Sequence, residues 1–454
     1  MSSTASISGA QQQLNAFGTQ NLVISTKQPH ATLWRNEHVP LTHFAYADVR
    51  SEFSGTVSFG SRVVCELDRP ADLMSEVNFR YTLRAWTENA GVAGTFPETD
   101  PDNNYFYTDD IGNAMIQLYE LSVGNNRFDV ADGTYFHIYD EECKAEGRQT
   151  GAETGKFGSR LARVRHARFD QDLIVPIPTD LLVHPGKAIE SIAIHKQKVR
   201  MNFTLRPLAE LIRTTGTGTT AYDLGLANPA DANAVLANGG SNVLQDAHLQ
   251  VHYVWVTEGE RLRMLSRASV TLYREIQTAT EIQKASADTL VRQRMAFNNA
   301  ACDYFFVVRL NSKWDIESAD ATQRGYEWFD FSGVNTTLGG VPAVVHANYP
   351  FLTHTLSINN AQRISATSQY LDSWIGQNHY PRGSRQGIHK VPFARHPADE
   401  HPTGSLNFSM IDHQDFSWTF DAALTGAAVI LLYVRAWQVA VRRNGVLHKE
   451  FQSQ

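Results

Sequence analysis

One pattern occurs twice in this chain, about 215 residues apart, and it limits the fold more than any other feature. Val175-Pro176-Ile177 is followed by Pro185 in HPG, and Val391-Pro392-Phe393 is followed by Pro402 in HPTG. Each proline turn leads into SIAI from Ser191 or SLNF from Ser405, and then into VRMNFTL or FSWTF. Proline fixes φ and has no N–H to give, so each copy reads as a rigid turn feeding strands. The offset is close to half of the 454 residues. Two similar β domains are therefore expected, the second opening near residue 245.

Alternation supports strands throughout. Val77, Phe79, Tyr81, Leu83 and Ala85 alternate with Asn78, Arg80, Thr82 and Arg84. Leu249, Val251, Tyr253 and Trp255 form a second set, and Val199, Met201, Phe203 and Leu205 a third. Ile192 and Ile194 precede the third set with opposite parity, so a turn or bulge is expected across 195–198. Phe305, Val307 and Arg309 begin a further strand from Asp303. The run from Ala427 to Val434, ended by Arg435, is too short to span a bilayer and reads as a buried strand. Helices are few. Thr257–Ser266 has a capping residue in Thr257 and a capping-box Glu260, and Tyr135–Cys143 is a second short candidate. Many strands with few helices mean a sandwich or barrel. Stretches 206–246, 89–104 and 333–348 lack periodicity and read as loops, the first serving as an interdomain connection.

A net charge of −7 argues against a phosphate-binding surface over the whole chain. The best basic run, Arg160–Arg168, reads as a solvated loop or charged interface edge. Charged residues at 19%, with 23 Phe and 16 Tyr, suit a protein that buries surface against neighbours. Cys65, Cys143 and Cys302 are odd in number and never in C-x-x-C spacing, which implies free thiols in a reducing compartment. The opening MSSTASISGAQQQ has no signal-peptide pattern. Sequons stand at Asn202, Asn335 and Asn407.

The stretch His401–Asp412, HPTGSLNFSMID, reads as a proline turn feeding a short strand. Leu406, Phe408 and Met410 should face one way, and Ser405, Asn407 and Ser409 the other. Pro402, Gly404, Ser405, Asn407, Phe408 and Ser409 resemble the P-x-G-S-x-N-F-S signature of major capsid proteins of large nucleocytoplasmic double-stranded DNA viruses. Gly9, Ala10, Gln13, Leu14, Ala16, Gly18 and Gln20 resemble that family's opening, and Ser357–Arg363 its N-G-Q-x-R segment. Asp172–Leu205 resembles the end of its first jelly roll, and Leu249–Gln277 the opening strand and helix of its second.

The resemblance implies an all-β fold of two tandem eight-stranded antiparallel jelly-roll sandwiches with few short helices. It places an inner arm at 1–21, the first jelly roll at 22–210, a linker at 211–244 and the second jelly roll at 245–454. It implies a structural protein, not an enzyme, that forms pseudo-hexagonal homotrimers tiling an icosahedral shell. The implied partners are further copies, neighbouring capsomers, minor capsid and penton proteins, and inner viral membrane proteins, without direct nucleic-acid binding. Synthesis in the host cytoplasm follows from the same resemblance.

No catalytic, cofactor or metal site is expected. G-x-S-x-G, H-E-x-x-H and the phosphate-binding G-x-x-x-x-G-K-[ST] are missing from the sequence. His379, His389, His396 and His401 match no zinc spacing and read as loop or interface histidines. Asp140-Glu141-Glu142 reads as a solvated or interface acidic patch. Trp314, Trp328 and Trp374 read as core or interface residues, with sugar stacking the alternative. A carbohydrate- or receptor-binding virion sandwich stays open as the runner-up. A sandwich-fold glycosidase would need two facing carboxylates that no spacing suggests.

Overall fold

A computed structural model of the chain describes residues 41–83, 105–144, 151–158, 169–214, 244–311, 327–331, 350–382, 387–421 and 426–451, with a few isolated positions besides. The expected inner arm 1–21, most of the linker and the 89–104 and 333–348 loops lie outside these residues. The chain divides into two units after His43, and everything below concerns Phe44–Gln454.

Sixteen of the strands among the described residues build it as two sandwiches. In the first half β1 is Phe44–Glu52, β2 Arg62–Leu67, β3 Leu73–Leu83, β4 Ile116–Val123, β5 Asn126–Ala131, β6 Gln171–Pro176, β7 Val199–Leu205 and β8 Gln245–Val256. Their two sheets run β1–β8–β3–β6 and β2–β7–β4–β5. In the second half β9 is Ser269–Thr278, β10 Leu290–Met295, β11 Ala300–Leu310, β12 Thr353–Ile358, β13 Ala361–Thr367, β14 His389–Pro392, β15 Gln414–Thr419 and β16 Ala428–Arg443. Their sheets run β9–β16–β11–β14 and β10–β15–β12–β13. The order is the same in both halves, first-eighth-third-sixth and second-seventh-fourth-fifth, and all the pairs are antiparallel. This is the jelly-roll order made twice.

The expected division at residue 245 needs correction. β8 is not the opening strand of the second half but the last strand of the first, held between β1 and β3. Its counterpart β16 is held in the same way between β9 and β11. The alternation of Leu249, Val251 and Tyr253 was legible, but periodicity gives a strand's faces and not its partners. The halves meet instead at the helix Glu258–Ser266. Thr257 holds its N-cap position but makes no side-chain cap bond there.

Side-chain parity fills both cores. Val77, Phe79, Tyr81 and Leu83 are buried from β3, and Val199, Met201, Phe203 and Leu205 from β7. Phe79 and Phe203 stack at 5.3 Å, with Phe53 edge-on at 5.4 Å from Phe79. In the second half Phe306 meets Trp418 edge-on at 5.8 Å, and Tyr304 meets Phe416 at 5.4 Å. Burial pushes His354 down to about 3. The ring is therefore neutral, and its Nε2 lies 2.8 Å from the Tyr304 hydroxyl. Among several register shifts, one falls at the matching place in each half, between His252 and Tyr253 opposite β3 and between Ala301 and Asp303 in β11.

Two proline turns depart from the expected strands. Ser191–Ala193 is a 3-10 turn. Leu406–Asn407 is a two-residue strand on β11, followed by a 3-10 turn over Phe408–Met410. Phe408 is buried whereas Met410 is 77% exposed, so the expected common face of Leu406, Phe408 and Met410 does not form. The sequence alternates there, but a tight turn rotates each side chain by about a third of a circle rather than a half.

Candidate functional site

β11 and β16 are buried on both faces along nearly their whole length. One face packs on the second core. The other carries charges, and these meet groups of the first half.

The helix α1, Gly133–Glu142, supplies many of them and is buried from end to end. Asp132 caps it, accepting the Tyr135 N–H at 2.9 Å, while its other oxygen accepts the Tyr433 hydroxyl of β16 at 2.7 Å. The entry to α1 is tight: a Cβ on Gly133 would lie 1.9 Å from the Asn113 carbonyl oxygen. The acidic triplet at the other end is not a solvated patch. Asp140, Glu141 and Glu142 are all buried and are paired with Lys144, Lys156 and Lys390 respectively. Glu142–Lys390 is wholly buried and joins the halves.

Arg435 lies at the centre. Its Nε donates to Asp303 Oδ1 at 2.8 Å, its Nη2 to the Pro397 carbonyl at 3.2 Å, and its Nη1 to Cys143 Sγ at 3.1 Å. Tyr380 donates to the second Asp303 oxygen at 2.7 Å. Burial alone would lower the Arg435 pKa, but Asp303 holds it well above the usual arginine range. A second knot surrounds Asp180. It accepts from Arg274 Nε at 3.0 Å, from the Arg274 backbone N–H at 2.9 Å and from Lys187 Nζ at 2.6 Å. Burial raises the Asp180 pKa, but Arg274 and Lys187 outweigh it and hold the carboxyl down to about 2.

Asp129 of β5 is the exception. Its Oδ1 accepts the Val130 N–H at 3.1 Å and, weakly, the Ile276 N–H of β9 at 3.4 Å, while buried Oδ2 accepts no close hydrogen bond from the described residues. Burial, with Glu275 adding to it, pushes its pKa up to about 7 against the Thr179, Ile276 and Lys449 contacts that lower it.

The late motif is a latch between neighbouring turns. Pro402, Gly404, Ser405, Asn407 and Ser409 are exposed and Phe408 is buried. Gly404 has φ +142°, and a Cβ there would lie 3.2 Å from the Phe393 carbonyl oxygen. Asn407 Oδ1 accepts the Ser409 N–H at 3.0 Å, and Ser409 Oγ accepts the Asn299 N–H at 2.8 Å. Phe408 packs on Phe297 and Phe393, and Gln414 Nε2 donates to the carbonyls of Phe297 and Phe408 at 2.9 and 3.2 Å.

The remaining candidates do not converge. His389 is buried beneath Phe306 and Phe351, whereas His396 and His401 are exposed. Among the described residues no group of three His, Cys, Asp or Glu side chains is placed to hold a metal. Trp328 is buried with the Arg206 guanidinium 3.7 Å above it, Trp374 is 59% exposed, and Trp314 lies outside the described residues. The run 160–168 is described only in part. Cys65 and Cys302 are buried and all three thiols are free. Sequence reading missed Arg435, Asp303, Arg274, Asp180 and Lys390. Arg435 had a signal: a charge inside LLYVRAW can stay in a strand only if a buried partner meets it.

Residues 32–257 match the family described as major capsid protein N-terminus, and residues 260–432 match large eukaryotic DNA virus major capsid protein. The two matches part where the sheets do. The major capsid protein of Phaeocystis pouchetii virus is 21% identical, over 93% of this chain and 94% of that one. That of Paramecium bursaria Chlorella virus 1 is 22% identical, over 91% and 88%. Among solved structures, a quasi-atomic model of the PBCV-1 virus capsid aligns with TM-score 0.71 at 17% identity, over 93% of this chain and 100% of that one. The Faustovirus major capsid protein aligns with TM-score 0.68 at 10% identity, over 95% and 96%. At such identities these structures support the fold.

Two outcomes follow from the seam. Arg435→Met strands the buried Asp303 carboxylate and should cost about 3–5 kcal/mol in denaturant unfolding, while Arg435→Met with Asp303→Leu should recover most of it. Equal losses in the single and double variants would contradict the pairing. The raised Asp129 pKa favours the protonated folded state, so its contribution is complete below the ordinary carboxylate value of 3.8 and is lost as pH rises through about 7. Asp129→Asn should therefore gain stability over the parent as pH rises from 5 to 8, read as thermal midpoints across that range. A difference that does not change with pH would contradict this.

Proposed function

The chain belongs to the major capsid protein family of large eukaryotic DNA viruses and is a structural protein of the virion capsid shell, and from that premise we propose that its working unit is a homotrimer. The observation that carries the proposal is the repeated strand order within one chain. Two similar sandwiches per chain approximate a hexagon when three chains close around an axis, and hexagonal blocks tile a closed shell. The seam fixes one sandwich on the other, so each chain enters assembly as a preset double block.

Neighbouring trimers, minor capsid and penton proteins and inner membrane proteins are the partners this reading names. The role is mechanical and calls for no catalysis and no direct hold on nucleic acid. Synthesis in the host cytoplasm and an inner arm in the first 21 residues belong to the same proposal. Pro402, Gly404, Ser405, Asn407, Phe408 and Ser409 serve folding. Their bonds to Asn299 and Phe297 support a latch that sets the β10–β11 turn.

Native mass spectrometry of the purified full chain tests the assembly, with a discrete trimer as the expected species and a monodisperse monomer or dimer as the contrary one. For the latch, Asn407→Ala removes the acceptor that caps the 3-10 turn and should lower stability by about 0.5–2 kcal/mol. An unchanged unfolding midpoint would remove Asn407 from the latch.

A further inference from the structure

The two halves can be set residue on residue, and the match leaves one surface of each half unaccounted for. At the irregularity in β3, Ser75 Oγ donates to the His252 carbonyl at 3.3 Å; at that in β11, Cys302 Sγ donates to the Arg435 carbonyl at 3.3 Å. With Ser75 on Cys302, the ladders put Glu76 on Asp303, His252 on Arg435, Gln250 on Tyr433 and Tyr46 on Arg274. The helices after the fifth strands align by their caps. Asp132 accepts the Tyr135 N–H, and Thr367 Oγ1 accepts the Tyr370 N–H at 3.4 Å. Tyr370 therefore corresponds to Tyr135 and Trp374 to Tyr139. Phe136 and Leu371, the next pair, are both buried, as are His137 and Asp372.

The environments of these matched residues differ sharply. Tyr135 and Tyr139 are buried, and Tyr135 lies 5.7 Å from Tyr433 on the second sheet. Their counterparts face solvent, Tyr370 at 47% exposure and Trp374 at 59%, although Leu371 and Ile375 of the same turn segment are buried. The sheets show the reverse side of this. Arg274 and Arg435 are 4% and 2% exposed, whereas Tyr46, the counterpart of Arg274, is 66% exposed. Among the described residues, one chain thus contains a helix face without a sheet and a sheet face without a helix.

We propose that a second copy of this chain joins these two surfaces, so that Tyr370 and Trp374 of one copy seat on Tyr46, Gln250 and His252 of the next. The contact repeats between chains the seam that α1 makes within one. It is head-to-tail, and such contacts close into a ring when the rotation allows. Its chemistry fits a partly wet interface: Trp374 and Tyr46 provide aromatic area, with Asp48, Arg50 and Gln377 exposed around them. The proposal rests on the homotrimer reading and supplies its contact.

The test uses the full chain with Trp374→p-benzoylphenylalanine, mixed with a heavy-isotope copy and irradiated under assembly conditions. The expected crosslink joins position 374 to residues 44–52 or 248–254 of the other copy. Trp374→Glu and Tyr46→Glu should each weaken trimer association at least tenfold in light scattering. Both sites are exposed, so the thermal midpoint of the unassembled chain should not move. A trimer that crosslinks elsewhere, or that survives both substitutions, overturns the contact and leaves the trimer standing. The expected crosslink in a species other than a trimer supports the contact and overturns the trimer.

Discussion

The arrangement depends on the burial of charge between the two sandwiches. Arg435 with Asp303, Lys390 with Glu142, and Arg274 with Asp180 are each almost entirely removed from water. Desolvating an ion costs several kcal/mol, and well-packed apolar residues in place of such a pair are often as stable or more so. These pairs are therefore poor candidates for adding net stability. What they do is penalise misalignment. A slip of the halves would leave unpaired charges in a low dielectric, which costs far more than a lost apolar contact. Apolar packing alone would tolerate several registers; this seam tolerates one.

That division of labour explains why the two cores look alike and their surroundings do not. Phe79 and Phe203 in the first core answer Phe306 and Trp418 in the second, since both must fill the same space between sheets. Outside the cores, matched positions diverge according to what each meets. His252 stands where Arg435 stands, and Glu76 where Asp303 stands, but only Arg435 and Asp303 are buried. Asp129, with one buried oxygen that accepts no close hydrogen bond from the described residues, is a place where the seam is incompletely compensated.

Much of this was legible before any coordinates. Strand faces at 77–83, 199–205 and 249–253 follow from alternation, because side chains on a strand must point to opposite sides. The helix near 260 follows from its start signals, and that near 135 stood only as a short candidate. Strand partners were not legible: β8 has the pattern of any half-buried strand, and only its ladder to β1 and β3 assigns it to the first half. Pro185 opens a 3-10 turn as expected, whereas Pro402 lies in irregular backbone, and SIAI and SLNF were too short for periodicity to separate a strand from a 3-10 turn. The latch residues were singled out by resemblance; their bonds to Asn299 and Phe297 come from a loop more than 100 residues earlier, which no local pattern reveals. At the seam, Asp140, Glu141 and Glu142 left two readings open, a solvated patch or an interface; the interface is what forms, and their lysines, one of them 248 residues away, could not be seen from local sequence.

The central claim is that one chain is a preset pair of sandwiches and that copies join by repeating the same seam. Electron cryomicroscopy of the assembled protein, at a resolution that separates strands, tests it most directly. The account predicts six sandwiches around a threefold axis, with the contact between chains superposing on the contact within each chain. Six sandwiches joined through unlike surfaces, or an assembly with any other symmetry, would contradict it.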